Sequence, residues 1–153
     1  MYNIINFVLD HKNHLTLWQS GDVDCFLMQE GTLVYGTTLE ELYAKVPDDC
    51  LIEKSVIHQY CDDLMINGID CKNCLDFWNC ISDLAACLFL PFSGDEENGI
   101  IQRVYRKLFY GCHFEEYPQG EPEEYLPWIQ EESECLAKVI EEGKEMLKTQ
   151  WKK

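Results

Sequence analysis

Cys71-Lys-Asn-Cys74 is the arrangement in this chain closest to a chemical motif. A C-x-x-C at a helix start places two thiols where the helix dipole lowers a thiol pKa, as dithiol redox sites do. It is also half of a zinc site. Asp70 and Asp76 flank the pair and oppose thiolate formation, and no βαβ pattern surrounds it. Zinc would need two further ligands, for which His58, Cys61 and Cys80 are the nearest options in sequence. Cys74 falls on the apolar face of its helix, so packing accounts for it. A thiol or zinc enzyme using Cys71 and Cys74 is the least favoured reading, and no metal or cofactor is expected.

The remaining chemical groupings are weaker. His11-Lys-Asn-His14 brings two imidazoles together but has no glutamate in the H-E-x-x-H position, so a surface turn is expected. Gly21-Asp22-Val-Asp24 lacks the closing glutamate of a calcium loop and reads as an acidic turn. No nucleophile elbow, phosphate loop or dinucleotide fingerprint occurs, and the chain is not read as an enzyme. Arg103, Arg106, Lys107 and Tyr110 share one helical face by their spacing, a stripe able to grip phosphate. The formal charge of −16 opposes nucleic acid at long range, so pairing with the protein's own acidic helices is preferred.

Charge is the strongest compositional signal. Twelve Lys and Arg face 28 Asp and Glu, which attracts basic surfaces and repels nucleic acid and anionic membranes. Residues 1–92 carry net −10, residues 93–114 carry 0 and residues 115–153 carry −6. An apolar fraction of 46% excludes a disordered acidic tail. Ile4–Leu9 is short and no Lys or Arg precedes it, so no secretory leader is expected; Leu84–Phe92 is too short to span a membrane. Nine scattered cysteines, an odd number, suggest buried thiols in a reducing cytosol. A cytoplasmic protein, monomeric when free, is the expectation.

The elements that would position these residues form one domain over 1–153. Leu15–Trp18, Cys25–Gln29 and Thr32–Tyr35 are short strand-like runs, and Glu30-Gly31 between the last two suggests a tight hairpin. Thr37-Thr38 before Glu40-Glu41 starts a short helix that must stop before Pro47. A second helix is read over Lys54–Asn67, with Val56, Ile57, Tyr60 and Leu64 on one face and Gly68 ending it. A third, capped by Asp70 or Asn73, carries Cys74, Phe77, Trp78, Ile81, Leu84 and Leu88 at helical spacing. A fourth runs from about Gly99 to Tyr110, opened by Ser93/Glu96. The last runs from about Pro127 to Trp151, burying Leu136, Ile140, Leu147 and Trp151, with Glu131, Glu134, Glu141, Glu142 and Glu145 largely solvated. The predicted class is α+β: short N-terminal antiparallel strands or a hairpin, then a mostly helical C-terminal two-thirds.

Leu15-Thr-Leu-Trp18, Cys25-Phe-Leu with Leu33-Val-Tyr-Gly36, Thr38-Leu-Glu-Glu-Leu-Tyr43, Asn73-Cys-Leu-Asp-Phe-Trp-Asn79 and Ser82-Asp-Leu84 resemble bacterial immunity proteins of contact-dependent growth inhibition and related polymorphic toxin systems. The resemblance covers about Leu15 to Leu88 and transfers no residue-level motif. It implies a cytoplasmic antidote that binds a toxin's C-terminal domain, commonly a nuclease, and blocks it by stoichiometric occlusion. The acidic balance suits a partner with a basic cleft. The contact residues chosen are Glu115, Glu116, Glu123, Glu124 and Trp128, where acids and an aromatic meet outside the helix cores; Asp62, Asp63, Asp76 and Asp83 form the alternative patch. An acidic adaptor that binds a basic cellular protein would show the same surface.

Overall fold

The computed structural model describes residues 1–65, 68–112 and 127–152. Its architecture is mixed α+β, with sheet in the N-terminal part and helices in the C-terminal part. Among the described residues six strands form two sheets: β1 (Tyr2–Val8), β2 (Leu15–Gln19), β3 (Cys25–Phe26), β4 (Met28–Gln29), β5 (Thr32–Leu33) and, after the first helix, β6 (Ile52–Cys61). The helices are α1 (Leu39–Ala44), α2 (Cys71–Leu88), α3 (Gly99–Cys112) and α4 (Gln130–Trp151), with a 3-10 turn at Ser93–Asp95. Two compact units divide the chain: one of Met1–Asp62, Asp83–Leu90 and Leu147–Lys153, the other of Asp63–Ser82 and Pro91–Met146.

The first unit is built on a four-stranded sheet in the order β3-β2-β1-β6. β1 and β2 form an antiparallel hairpin whose two-residue loop is Asp10-His11, at φ 53° and 62°. Leu9 and Lys12 exchange both backbone hydrogen bonds across it, the geometry of a turn that matches strand twist. The predicted Glu30-Gly31 turn is present between β4 and β5, again with both residues at positive φ. Ile4, Leu15, Leu17, Val34 and Leu42 form the core of one face, with Tyr2, Leu27, Leu39 and Ile52 packed around it. Thr38 caps α1 by accepting from the Glu41 amide at 3.1 Å, as the capping interval predicted.

One predicted element is wrong. Residues 52–61 are not helical; they are β6, and β6 runs parallel to β1, so the sheet is not purely antiparallel. Val56, Ile57 and Tyr60 fall at a helical interval by coincidence, and as β-branched and aromatic residues they suit a strand equally. β1 decides the matter. Its Ile4, Ile5, Asn6 and Phe7 are all buried, so its second edge needs a backbone partner as well as its first. Lys54–Gln59 are exposed, with Val56 and Ile57 at 50% and 42%, so half of the supposed buried face is in solvent, while Tyr60 is half-buried and Leu64, beyond the strand, is buried. The register slips between Asn3 and Ile4, where β6 bulges away.

The second unit is helical. Of the two cap candidates, Asp70 and Asn73, it is Asp70 that opens α2: its carboxylate accepts from the Asn73 amide at 3.1 Å and its carbonyl from the Cys74 amide at 2.9 Å. Cys74, Phe77, Trp78 and Ile81 are buried on α2, Ile101, Val104 and Leu108 on α3, and Leu136, Val139 and Ile140 on α4. α3 is opened by Asn98, which accepts from the Ile101 amide at 2.9 Å, and not by Ser93 or Glu96. No described helix is long and apolar enough to cross a membrane.

Candidate functional site

The second unit holds a cleft of about 430 Å³ bounded by α2, the 3-10 turn and α3. Its aromatic wall is Trp78 from α2 and Tyr105 from α3, whose rings meet edge to face at 5.4 Å and 73°. Asp95, Glu96 and Glu97, all exposed, supply its acidic lining, and Arg106 lines it from α3. Helical spacing explains the wall. Trp78 lies one position after Phe77 on the buried stripe and is itself 2% exposed, whereas Tyr105, one position after Val104, is half-buried and presents the accessible part of the wall.

Several hydrogen bonds fix the turn that carries the acids. Trp78 Nε1 donates to the Gly94 carbonyl at 3.3 Å. Ser82 Oγ donates to Asp95 at 2.5 Å, and the Ser93 amide donates to Glu142 at 2.9 Å, with a second bond from the Ser93 hydroxyl. Gly94 is required by closeness: a Cβ there would lie 2.6 Å from the Phe92 ring and 2.7 Å from Trp78 Nε1. Tyr105 is oriented by donating to Asn79 Oδ1 at 2.8 Å. Glu142, expected on the solvated side of α4, is half-buried because it serves this turn.

Beneath the basic stripe lies a buried ion cluster. Glu132 is 2% exposed and receives Lys107 Nζ at 2.6 Å, Arg103 Nε at 2.7 Å and the Ile129 amide at 3.1 Å. Burial alone would raise its pKa, but these hydrogen bonds outweigh burial and hold the carboxyl below its usual range. Arg103 and Lys107 are thus consumed by the protein's own helix, as charge reasoning expected. The stripe does not present four free residues to phosphate.

The residues chosen from sequence are scattered. Glu115, Glu116, Glu123 and Glu124 lie outside the described residues. Trp128 precedes α4, half-buried, with Lys107 Nζ 5.7 Å from its ring centroid. Of the alternative patch, Asp62 and Asp83 belong to the first unit and Asp63 and Asp76 to the second. Asp62 accepts from the Asp10 amide at 2.9 Å, Asp83 from Trp18 Nε1 at 2.9 Å, and Asp76 pairs with Lys72 at 2.7 Å. Three of the four therefore have structural duties.

The cysteines and histidines singled out by spacing sit in different surroundings. Cys74 is fully buried, its thiol 3.8 Å from the Leu64 carbonyl, and Cys71 sits where Gly111 of α3 comes closest to α2. The eight described cysteines whose state is defined are free, and burial pushes the Cys87 and Cys135 thiols up. Among the described residues no three His, Cys, Asp or Glu converge as metal ligands. His11 sits in the exposed hairpin loop as expected. His14 does not: it is buried, stacked on Trp151 at 4.3 Å, with Nδ1 3.0 Å from the Phe7 carbonyl. Gly21–Asp24 is the exposed turn expected, closed by Asp24 accepting from the Gly21 amide at 3.3 Å.

The site residues that sequence reading missed are Asp95, Glu96 and Glu97. Their signal was present: three consecutive acids in a short loop between the two most clearly patterned helices. Comparison with known protein families, curated proteins and solved structures finds no match to this chain.

Proposed function

We propose that this protein is an antidote: it binds a cognate toxin domain with a basic surface, a nuclease, and neutralises it by stoichiometric occlusion. The observation that carries this reading is where the charges end up in the fold. Arg103 and Lys107 are turned inward onto Glu132, and Lys45, Lys72 and Lys148 pair with Glu41, Asp76 and Asp10. Asp22, Asp24, Glu40, Asp48, Asp49, Glu97 and Glu141 meanwhile stand exposed. Such a surface steers a basic protein and repels a polyanion. The resemblance of Leu15–Leu88 to immunity proteins supplies the class of partner, and a nuclease cleft built for phosphate has the matching sign.

The test is binding to the C-terminal domain encoded immediately upstream in the source genome. A one-to-one complex that abolishes the domain's nuclease activity is expected, with association slowing steeply as salt rises and dissociation changing less. Reversing Glu123 and Glu124 together should slow association at low salt. No complex with that domain, or a salt-independent on-rate, would sink the reading. An acidic adaptor would instead bind a basic cellular protein and leave the upstream domain active.

A further inference from the structure

Three carboxylates line the cleft of the second unit, yet they do not converge as a metal shell. They follow one another along a cleft that the half-buried Tyr105 ring also lines. A compact ion satisfies neither feature, whereas a flat cation with several donors satisfies both. A guanidinium lies against an aromatic face and offers a fork of N–H groups to carboxylates, while an ammonium does only the second. We infer that this cleft receives an arginine side chain presented by the protein partner. The inference rests on the binding of a basic partner proposed above, and it names where and through which residue that partner is held.

Four observations support it. The volume, about 430 Å³, falls in the usual range of ligand pockets and leaves room for a side chain with its flanking residues. Tyr105 is half-buried and fixed by Asn79, so a ring is held ready at the wall. Glu97 carries no hydrogen bond or ion pair among the described residues, and Glu96 only an exposed one to Asn98 at 3.2 Å. The turn that leads into Glu96 and Glu97 is held before anything binds, because Glu142, Trp78 and Ser82 bond Ser93, Gly94 and Asp95 and the Glu96 amide donates to the Ser93 carbonyl at 3.1 Å. Little ordering is then lost on binding, which is what separates an anchor pocket from an incidental acidic surface. Arg106 offsets one of the three negative charges and leaves the lining with a net negative sign.

The experiment has two arms on the full chain. In the first, short acetylated, amidated peptides differing only in a central arginine, lysine or citrulline are titrated while the Trp78 indole N–H and Tyr105 ring resonances are followed. The arginine peptide should bind at least about tenfold more tightly than the neutral citrulline peptide, with lysine between them. Glu96→Gln/Glu97→Gln should lose most of that preference without loss of stability. Glu40→Gln/Glu141→Gln, equal in charge change but at residues that do not line the cleft, should keep it. Equal binding of arginine and citrulline, or equal effects of the two double variants, overturns the inference. In the second arm the upstream toxin domain replaces the peptides. If it binds wild type and Glu96→Gln/Glu97→Gln equally, the cleft is not the anchor although the antidote reading stands. If it binds neither, that reading fails and the peptide arm still decides the cleft.

Discussion

Replacing Glu132 by Gln should be among the most damaging single-atom changes available to this protein. The carboxylate is 2% exposed, and its two oxygens divide their work: Oε1 accepts from Lys107 at 2.6 Å and from the Ile129 amide at 3.1 Å, and Oε2 from Arg103 at 2.7 Å. A glutamine oxygen can keep the first two bonds, but its NH2 then opposes the Arg103 N–H, and the charge that compensated both cations is gone. Lys107, itself 5% exposed, loses the carboxylate charge that Glu132 sets against its ammonium at 2.6 Å. Breaking a buried pair on one side costs about 3–5 kcal/mol. With a urea m-value of roughly 2 kcal/mol/M, the unfolding midpoint should fall by about 1.5–2.5 M. Glu131→Gln is the control: that side chain is 72% exposed and 3.9 Å from Arg103, and should matter by less than about 0.5 kcal/mol.

Acid titration gives an independent reading of the same cluster. The folded pKa of Glu132 is depressed, so its stabilisation is fully present above the unfolded value near pH 4.3 and is lost as pH falls through the folded one. The gap between wild type and Glu132→Gln should therefore narrow only below about pH 4.3. Removing both ends of the buried pair, as Lys107→Met/Glu132→Leu, should cost clearly less than the single change, because no orphaned buried charge remains. A Glu132→Gln loss under about 1 kcal/mol, or a double variant as damaged as the single one, would refute this account.

Other parts of the fold make equally definite claims. His14 is buried and its pKa is lowered chiefly by that burial, so the unfolded chain takes up a proton first as pH falls below about 6.5. Urea midpoints should drop between pH 7.5 and 5.5 in wild type and in His11→Gln, and that drop should shrink in His14→Gln; an unchanged slope in His14→Gln counts against it. Trp78→Ala should cost about 3–5 kcal/mol, since the ring is 2% exposed and packs against Phe92 and Tyr105. A soluble, fully stable variant that merely fails to bind would make Trp78 an interface residue and not a core one. Ile57→Lys should shift stability by no more than about 0.5 kcal/mol, because strand β6 leaves that side chain in solvent. A large loss would restore the buried helical face that the spacing first suggested.

What was legible in the sequence was whatever local physics decides alone. Glu30-Gly31 could be placed because a two-residue loop between β-branched runs needs positive φ at both positions. Thr38 and Asp70 could be placed because exposed helix N–H groups need an acceptor at a fixed offset. β6 was not legible, because its identity is set by β1, 50 residues away, and not by its own periodicity. β1 itself was read only as an apolar stretch, since four consecutive buried residues erase the alternation that marks a half-exposed strand. His14 misled for a related reason. Its spacing from His11 looked like a surface pair, but a hairpin turn separates the two, leaving His11 in the loop and sending His14 into the core beneath Trp151.

The candidate site failed to appear for a different reason, which bears on how acidic binding proteins are read. In a chain with 28 Asp and Glu, proximity of acids in sequence cannot rank them. Asp76 and Asp83 looked as available as Glu96 and Glu97, yet in the fold the first two hold Lys72 and Trp18 and the second two line a cleft. What ranks a carboxylate is the fate of its neighbours: whether a donor of the same chain already satisfies it, and whether the backbone beneath it is fixed. Glu132 and Glu97 mark the two extremes. The first has three internal donors and is committed to stability; the second has none among the described residues, two positions beyond the turn held by Trp78, Ser82 and Glu142. Only the second kind can still gain a partner. Under the function proposed above, the surplus of negative charge is the long-range attractor, and specificity falls to acids such as Glu97 that no donor among the described residues already satisfies.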